Sequence, residues 1–213
     1  MVMNKNKLVR LLVVIIGTII MGIGIEIIVL ANQGFDSVST LILGLMNFSP
    51  IPFGRWSQLI SLFFLLITFL YKRSMLGIGS IINTLLVGET ISRTASWLQT
   101  VSFLQENVFA SLAGFMVMAL GTALYLSGGL GSGPLEGMMF CVCDKLDVSL
   151  QKGRILLDFL IVACGFLLGS SLGIGTFFAI FLLGPMIQFI FSIIQKMQPI
   201  DFQQRSKKEQ LSD

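Results

Sequence analysis

The segment Leu76-Gly77-Ile78-Gly79-Ser80 through Gly88 returns ninety-six residues later as Leu172-Gly173-Ile174-Gly175-Thr176 through Gly184, with six of thirteen positions identical. With the frame shifted by one residue, Gly24 falls on Gly121 and Gly34 on Gly131, and apolar residues mostly match apolar residues between these anchors. The chain therefore reads as one unit duplicated. In apolar sequence a repeat of this size is a plan used by membrane transport proteins. The two copies are expected at 10–98 and 108–196, joined by an external loop at 99–107, with a cytoplasmic N-terminus at 1–9 and a cytoplasmic tail at 197–213.

The setting for such copies is lipid. Of 213 residues 54% are hydrophobic and 12% charged, about half the charge of an ordinary globular domain. No Asp, Glu, Lys or Arg occurs from Phe159 to Gln195, a run too long for one crossing of a bilayer, so the chain must turn back near Gly169-Ser170-Ser171-Leu172-Gly173. Six spans are expected, at 8–31, 56–71, 76–98, 107–127, 154–169 and 173–195. Between the first and second span of each copy lies a shorter apolar segment, Val38 to Phe48 and Leu135 to Val142, which would make a half-helix of roughly 12–17 Å.

The expected fold is thus an all-α membrane protein of about six transmembrane helices, arranged as two inverted three-helix repeats that each carry a short half-helix. Lys5, Lys7 and Arg10 at one end, and Lys196, Arg205, Lys207 and Lys208 at the other, place both termini in the cytoplasm. Lys72, Arg73, Lys145, Lys152 and Arg154 fall on the same side. Trp56 and Trp97 are expected near the outer boundary, and Tyr71 and Tyr125 near the inner one.

With no histidine, the chain lacks the usual proton shuttle, the commonest metal ligand and the base of a nucleophile pair, so no enzymatic role, metal or cofactor is expected. Cys141, Cys143 and Cys164 follow no zinc or disulfide spacing and read as small core residues. Basic residues are too scattered for nucleic acid. Chemistry is sought instead in polar groups within the spans, each costly unless paired or hydrated.

One candidate is the turn Gly131-Ser132-Gly133-Pro134 with Glu136, where glycines free the backbone, Pro134 suits a first helical position and the acid sits in the first turn. Its plain reading is a tight turn into the half-helix. In the other copy Ser39 stands in Glu136's place. Arg154 and Asp158, and likewise Glu89 and Arg93, are spaced to pair on one helix face, and the plain reading of both is mutual neutralisation. Glu26 has no basic residue one turn away. The Gly77/Gly79 and Gly173/Gly175 pairs read as small residues that let helices approach.

These motifs resemble the YczE/YitT-like family of bacterial multi-pass membrane proteins, most closely its YczE-type branch, over about residues 10–195. Leu130-Gly131-Ser132-Gly133-Pro134-Leu135-Glu136-Gly137 is similar to that family's Leu-Gly-x-Gly-Pro-x-Asp-Gly turn, with Glu in place of Asp. Arg154 with Asp158, and Gly173 to Thr176 followed by Gly184-Pro185, are similar to further family motifs. Its first-copy turn, Gly-x-x-Pro-Trp-Asp, aligns with Gly34 to Ser39, where the Pro, Trp and Asp positions are all altered and the nearest acid is Asp36. The resemblance implies a helical bundle in the bacterial plasma membrane and implies no reaction.

The leading functional expectation is a permease-like protein that moves or binds a small polar solute between inverted halves. The competing one is a non-transporting scaffold or biogenesis subunit, for which oligomers or a partner protein besides the lipid bilayer would matter. A water-reachable polar cavity lined by the half-helices would separate the two.

Overall fold

The computed structural model describes residues 5–197, with side chains from Lys7 onward. The expected segments 1–4 and 198–213 lie outside the described residues. Two long apolar helices, α1 (Lys5–Ala31) and α5 (Val108–Ser127), cross in close contact at the centre. Glycines set that distance: a Cβ on Gly24 would meet the Gly114 carbonyl oxygen at 2.9 Å, and one on Gly121 would meet that of Gly17 at 2.7 Å. Without side chains the backbones touch, which is how helices gain dispersion energy where lipid removes the hydrophobic drive. Gly17 and Gly24 precede Gly114 and Gly121 by the same ninety-seven residues, so exchanging the copies carries one contact onto the other.

Around this crossing lie α2 (Ser37–Met46), α3 (Phe53–Lys72), α4 (Ile78–Leu98), α6 (Pro134–Leu146) and α7 (Leu150–Leu167). The last long helix has three parts: α8 (Ile174–Phe178), a π-helical turn (Ala179–Leu183) and α9 (Gly184–Met197). Long and short helices therefore fall where the apolar runs place them. The fifth starts four residues earlier than expected, because the polar stretch before Arg154 stays helical from Leu150.

Among the described residues four stretches are long and apolar enough to cross a membrane: Lys7–Ala31, Phe53–Met75, Val108–Ser127 and Ile174–Met197. Residues of α4 and α7 that include Glu89 and Arg93, and Lys152, Arg154 and Asp158, keep those two helices outside that set.

The half-helices are exchanged between copies, α2 packing on α7 and α6 on α3. The same exchange holds the glycine turns. Gly175 N–H donates to the Gln33 carbonyl and Gly79 N–H to the Leu130 carbonyl, both at 2.8 Å. Gly34 and Gly131 occupy the left-handed region (φ +106° and +116°), and each lies against the Gly-x-Gly that opens the other copy's last helix. The Gly77/Gly79 and Gly173/Gly175 pairs thus grip a turn of the opposite copy rather than a neighbouring helix face, and Ser80 and Thr176 complete the grip. Ser80 Oγ donates to the Ser132 carbonyl at 2.6 Å, and Phe35 N–H donates to Thr176 Oγ1 at 3.0 Å.

In their last helices the copies differ. Where α4 has Glu89 and runs unbroken, the second copy has Pro185, which has no N–H to give the Phe181 carbonyl and crowds it, and the π turn sits directly before it. Tyr125 is buried, its hydroxyl donating to the Gly131 carbonyl at 2.9 Å. Of the three cysteines read as core residues, Cys141 and Cys143 are buried, but Cys164 departs from expectation and is exposed.

The grip predicts a graded cost for glycine replacement. In Gly34→Ala the new methyl meets Thr176 N at 2.7 Å and Gly173 C at 2.8 Å, whereas in Gly169→Ala (φ +91°) it meets only the end of the Asn47 side chain, at 3.0 Å. Both pay about 1–3 kcal/mol of backbone strain. Thermal melts in detergent should show the larger drop for Gly34→Ala, and equal drops would mean the interlock contributes nothing.

Candidate functional site

Asp36 sits between two apolar cores. Phe35 belongs to one, with Ile28, Val87, Phe115 and Leu183, and Ile42 to the other, with Ile60, Phe64, Leu157 and Ile161. The chain leaves Gly34 and enters α2 with Asp36 as N-cap. Its carboxylate accepts the Ser39 N–H at 3.2 Å and the Ser39 hydroxyl as well, satisfying groups a helix start would otherwise leave bare. Ser37, the first residue of α2, donates its hydroxyl to Asp158 Oδ1 at 2.5 Å.

Asp158 is the ninth of the eighteen residues of α7, so this contact lies halfway along that helix. Its second oxygen accepts from Arg154 Nε at 2.7 Å, one turn earlier. Arg154 also faces Glu136, with Nη1 3.7 Å from Oε1. Glu136 belongs to the first turn of α6 and curls back over its own helix start, where a Cβ on Gly133 would overlap Oε2. Tyr125, Ser80 and the Gly131 carbonyl close this end.

The N-terminal ends of both half-helices thus meet at Arg154 and Asp158, bringing one guanidinium together with three carboxylates. Side-chain exposure falls from 18% at Glu136 and 13% at Arg154 to 3% at Asp158, so the cluster is approached from the Glu136 and Arg154 side. Helix N-termini carry partial positive charge, which helps hold the excess of acids.

Of the residues singled out from sequence, Gly131, Ser132, Gly133, Pro134, Glu136, Arg154 and Asp158 are brought together here. Ser132 serves the turn, donating its N–H to the Met75 carbonyl at 2.9 Å. Glu89 and Arg93 do form an ion pair at 2.6 Å, but on the outer face of α4, with side chains 44% and 78% exposed. Glu26 is buried on α1 and takes no part in the cluster's hydrogen bonds or ion pairs; its burial has no evident structural reason.

Asp36, Ser37 and Ser39 are the members that motif reading passed over. The altered first-copy turn hid them, because its acid stands three positions early. The fold cancels that shift, since Asp36 reaches forward to Ser39, the counterpart of Glu136. A capping acid before an apolar run was the available signal. Arg10 was also unforeseen as a buried residue: its Nε donates to the Gly128 carbonyl at 2.7 Å and so caps the end of α5.

The profile of a family described as "Family of unknown function (DUF6198)" matches residues 8–192. An uncharacterized protein of Haemophilus influenzae is 28% identical over 86% of this chain and 84% of its own length. The uncharacterized membrane protein YczE of Bacillus subtilis is 24% identical over 87% and 86%, and the uncharacterized protein YyaS of the same organism 22% identical over 85% and 92%. No solved structure matches significantly.

Removing one partner of a buried ion pair costs about 3–5 kcal/mol, since it strands the other charge. Arg154→Leu should therefore be the most destabilising single change in the cluster. Adding Asp158→Leu should recover part of the loss but not all, because Asp36 and Glu136 would still lack a cation. Unfolding midpoints of the two singles and the double in detergent check this, and additive losses would show that the pair does not act as a unit.

Proposed function

The chain belongs to the DUF6198 family, whose function is unknown, and we propose that this helical membrane protein is a permease-like carrier of a small polar solute. The observation that carries the reading is the meeting of two half-helix N-termini at a buried, charged centre halfway along α7. Broken or short helices whose ends face the middle of a bundle are how membrane transporters present unpaired backbone groups and helix dipoles to a solute. A protein needing only a scaffold gains little from such a centre, which costs several kcal/mol to desolvate.

On this reading the copies are two inverted three-span repeats, and the chain lies in the bacterial plasma membrane with both termini cytoplasmic. The relative directions of the helices support it. Gly22 of α1 lies beside Val87 and Thr90 of α4, and Thr18 bonds Asn83, so α1 and α4 run the same way; Gly17 beside Gly121 and Gly24 beside Gly114 make α5 run the other. At the end read as cytoplasmic, Lys72 pairs with Asp144 and Lys145 lies 5.7 Å over the Tyr71 ring.

Solute is expected to enter beside Glu136 and Arg154 and to exchange hydrogen bonds with the Arg154, Ser37 and Glu136 side chains. A thermal-stabilisation screen of purified protein against small polar metabolites, followed by vesicle uptake, tests this. Gly133 has an ordinary backbone conformation (φ −66°), so Gly133→Val keeps the turn but pushes the Glu136 carboxylate off its helix start. That variant should stay inserted and monodisperse while losing solute stabilisation. If no solute stabilises the wild type, the scaffold reading takes its place.

A further inference from the structure

We infer that the structure holds the bundle in one of two exchanging states, closed between α3 and α4 and open between α7 and α9, and that α9 swings about the Ala179–Leu183 turn to close on α7. The inference gives the proposed carrier its motion and so rests on that reading for its purpose, though not for its evidence.

The evidence is an inequality between contacts that the repeat makes equivalent. In the first copy α4 lies flush on α3: a Cβ on Gly88 would strike the Gly54 carbonyl and, at 2.6 Å, the Gln58 Cγ, while Gln58 Nε2 donates to the Leu85 carbonyl at 2.8 Å. In the second copy Gly88 recurs as Gly184. Around Gly184, however, the one neighbour within 4 Å of an added Cβ is the Arg154 Cγ, at 3.7 Å. From Gly184 onward α9 buries only Ile187, whereas over the counterpart stretch, from Gly88 onward, α4 buries Gly88, Thr90, Ile91 and Leu98. α9 leans on α5, and the second copy lacks the seam that seals the first.

The open seam has a hinge and a destination. Gly184-Pro185 and the π turn break the hydrogen-bond ladder at the level where α9 leaves the bundle, and π turns and prolines are where helices bend. What stands in the gap is the stem of Arg154, so the opening leads to the Arg154 and Glu136 end of the polar cluster. Closing α9 on α7 as α4 now closes on α3, and loosening α3 from α4 in return, would turn the same cluster toward the opposite side. An inverted repeat allows this exchange because each copy can adopt the conformation of the other.

Paired cysteines in a background carrying Cys141→Ala, Cys143→Ala and Cys164→Ala test the motion in native membranes. Gln58→Cys with Leu85→Cys spans the closed seam, and Leu150→Cys with Gln188→Cys, each one turn beyond Arg154 and Gly184, spans the open one. Mild oxidation should cross-link both pairs, and Pro185→Ala, which restores a regular helix, should abolish the second cross-link and leave the first. A monodisperse protein that cross-links at 58 and 85 but never at 150 and 188 would show α9 to be fixed and overturn the inference, leaving the permease reading intact. A second cross-link that survives Pro185→Ala would overturn the assignment of the hinge. If both cross-links form as expected but no solute from the screen changes their ratio, the moving helix stands and the permease reading fails.

Discussion

The two half-helices are arranged around one guanidinium. Arg154 is the cation within reach of Asp158, Glu136 and Asp36, in a region whose surroundings are otherwise Phe, Ile and Leu. Burying such a group unpaired costs far more than any single apolar contact returns, so neighbouring elements have to bring acids to it. Two elements do so by ending there. α2 and α6 are too short to span, and their starts deliver Ser37 with Asp36 on one side and Glu136 on the other. Their shortness is a requirement of the charge they serve.

The half-helices in turn require the glycine interlock. A chain that enters the bundle and starts a new helix there exposes carbonyls and amides that water cannot reach, and lipid gives them no partner. The opposite copy supplies those partners through the Gly-x-Gly-(Ser/Thr) that opens its own last helix. Neither copy can complete its turn alone. Buried threonines elsewhere are self-sufficient, as when Thr18, Thr68, Thr84 and Thr122 each donate to the carbonyl four residues back, and they need no such arrangement.

What could be read from the sequence follows from this division. Helices and half-helices were legible because lipid leaves one way to bury a long apolar run, and the Arg154–Asp158 pair was legible because four residues is a local distance. The exchange of half-helices was not, since nothing in a run of Val, Leu and Ile says which copy it packs on. The role of Gly77, Gly79, Gly173 and Gly175 was misread for the same reason: a small residue permits a close approach without naming the partner. Asp36 was hidden by a shift of three positions that only a folded helix start reverses.

The informative positions in a duplicated chain are those at which the copies have parted. The frame has kept its kind: Gly24 and Gly121, Gly34 and Gly131, Ser80 and Thr176, Gly88 and Gly184. Elsewhere the copies differ, as where Glu26 matches Ala123, Asn83 matches Ala179 and Arg93 matches Phe189. At the buried cluster Glu136 stands where the first copy has Ser39 with its borrowed acid, and on the last helix Pro185 stands where the first copy has Glu89. The first difference bears on the charge around Arg154 and the second on the helix that leaves it uncovered. The symmetric glycines thus preserve the frame, while each half meets the buried charge in its own way: one through a carboxylate on its half-helix, the other through an acid that caps it.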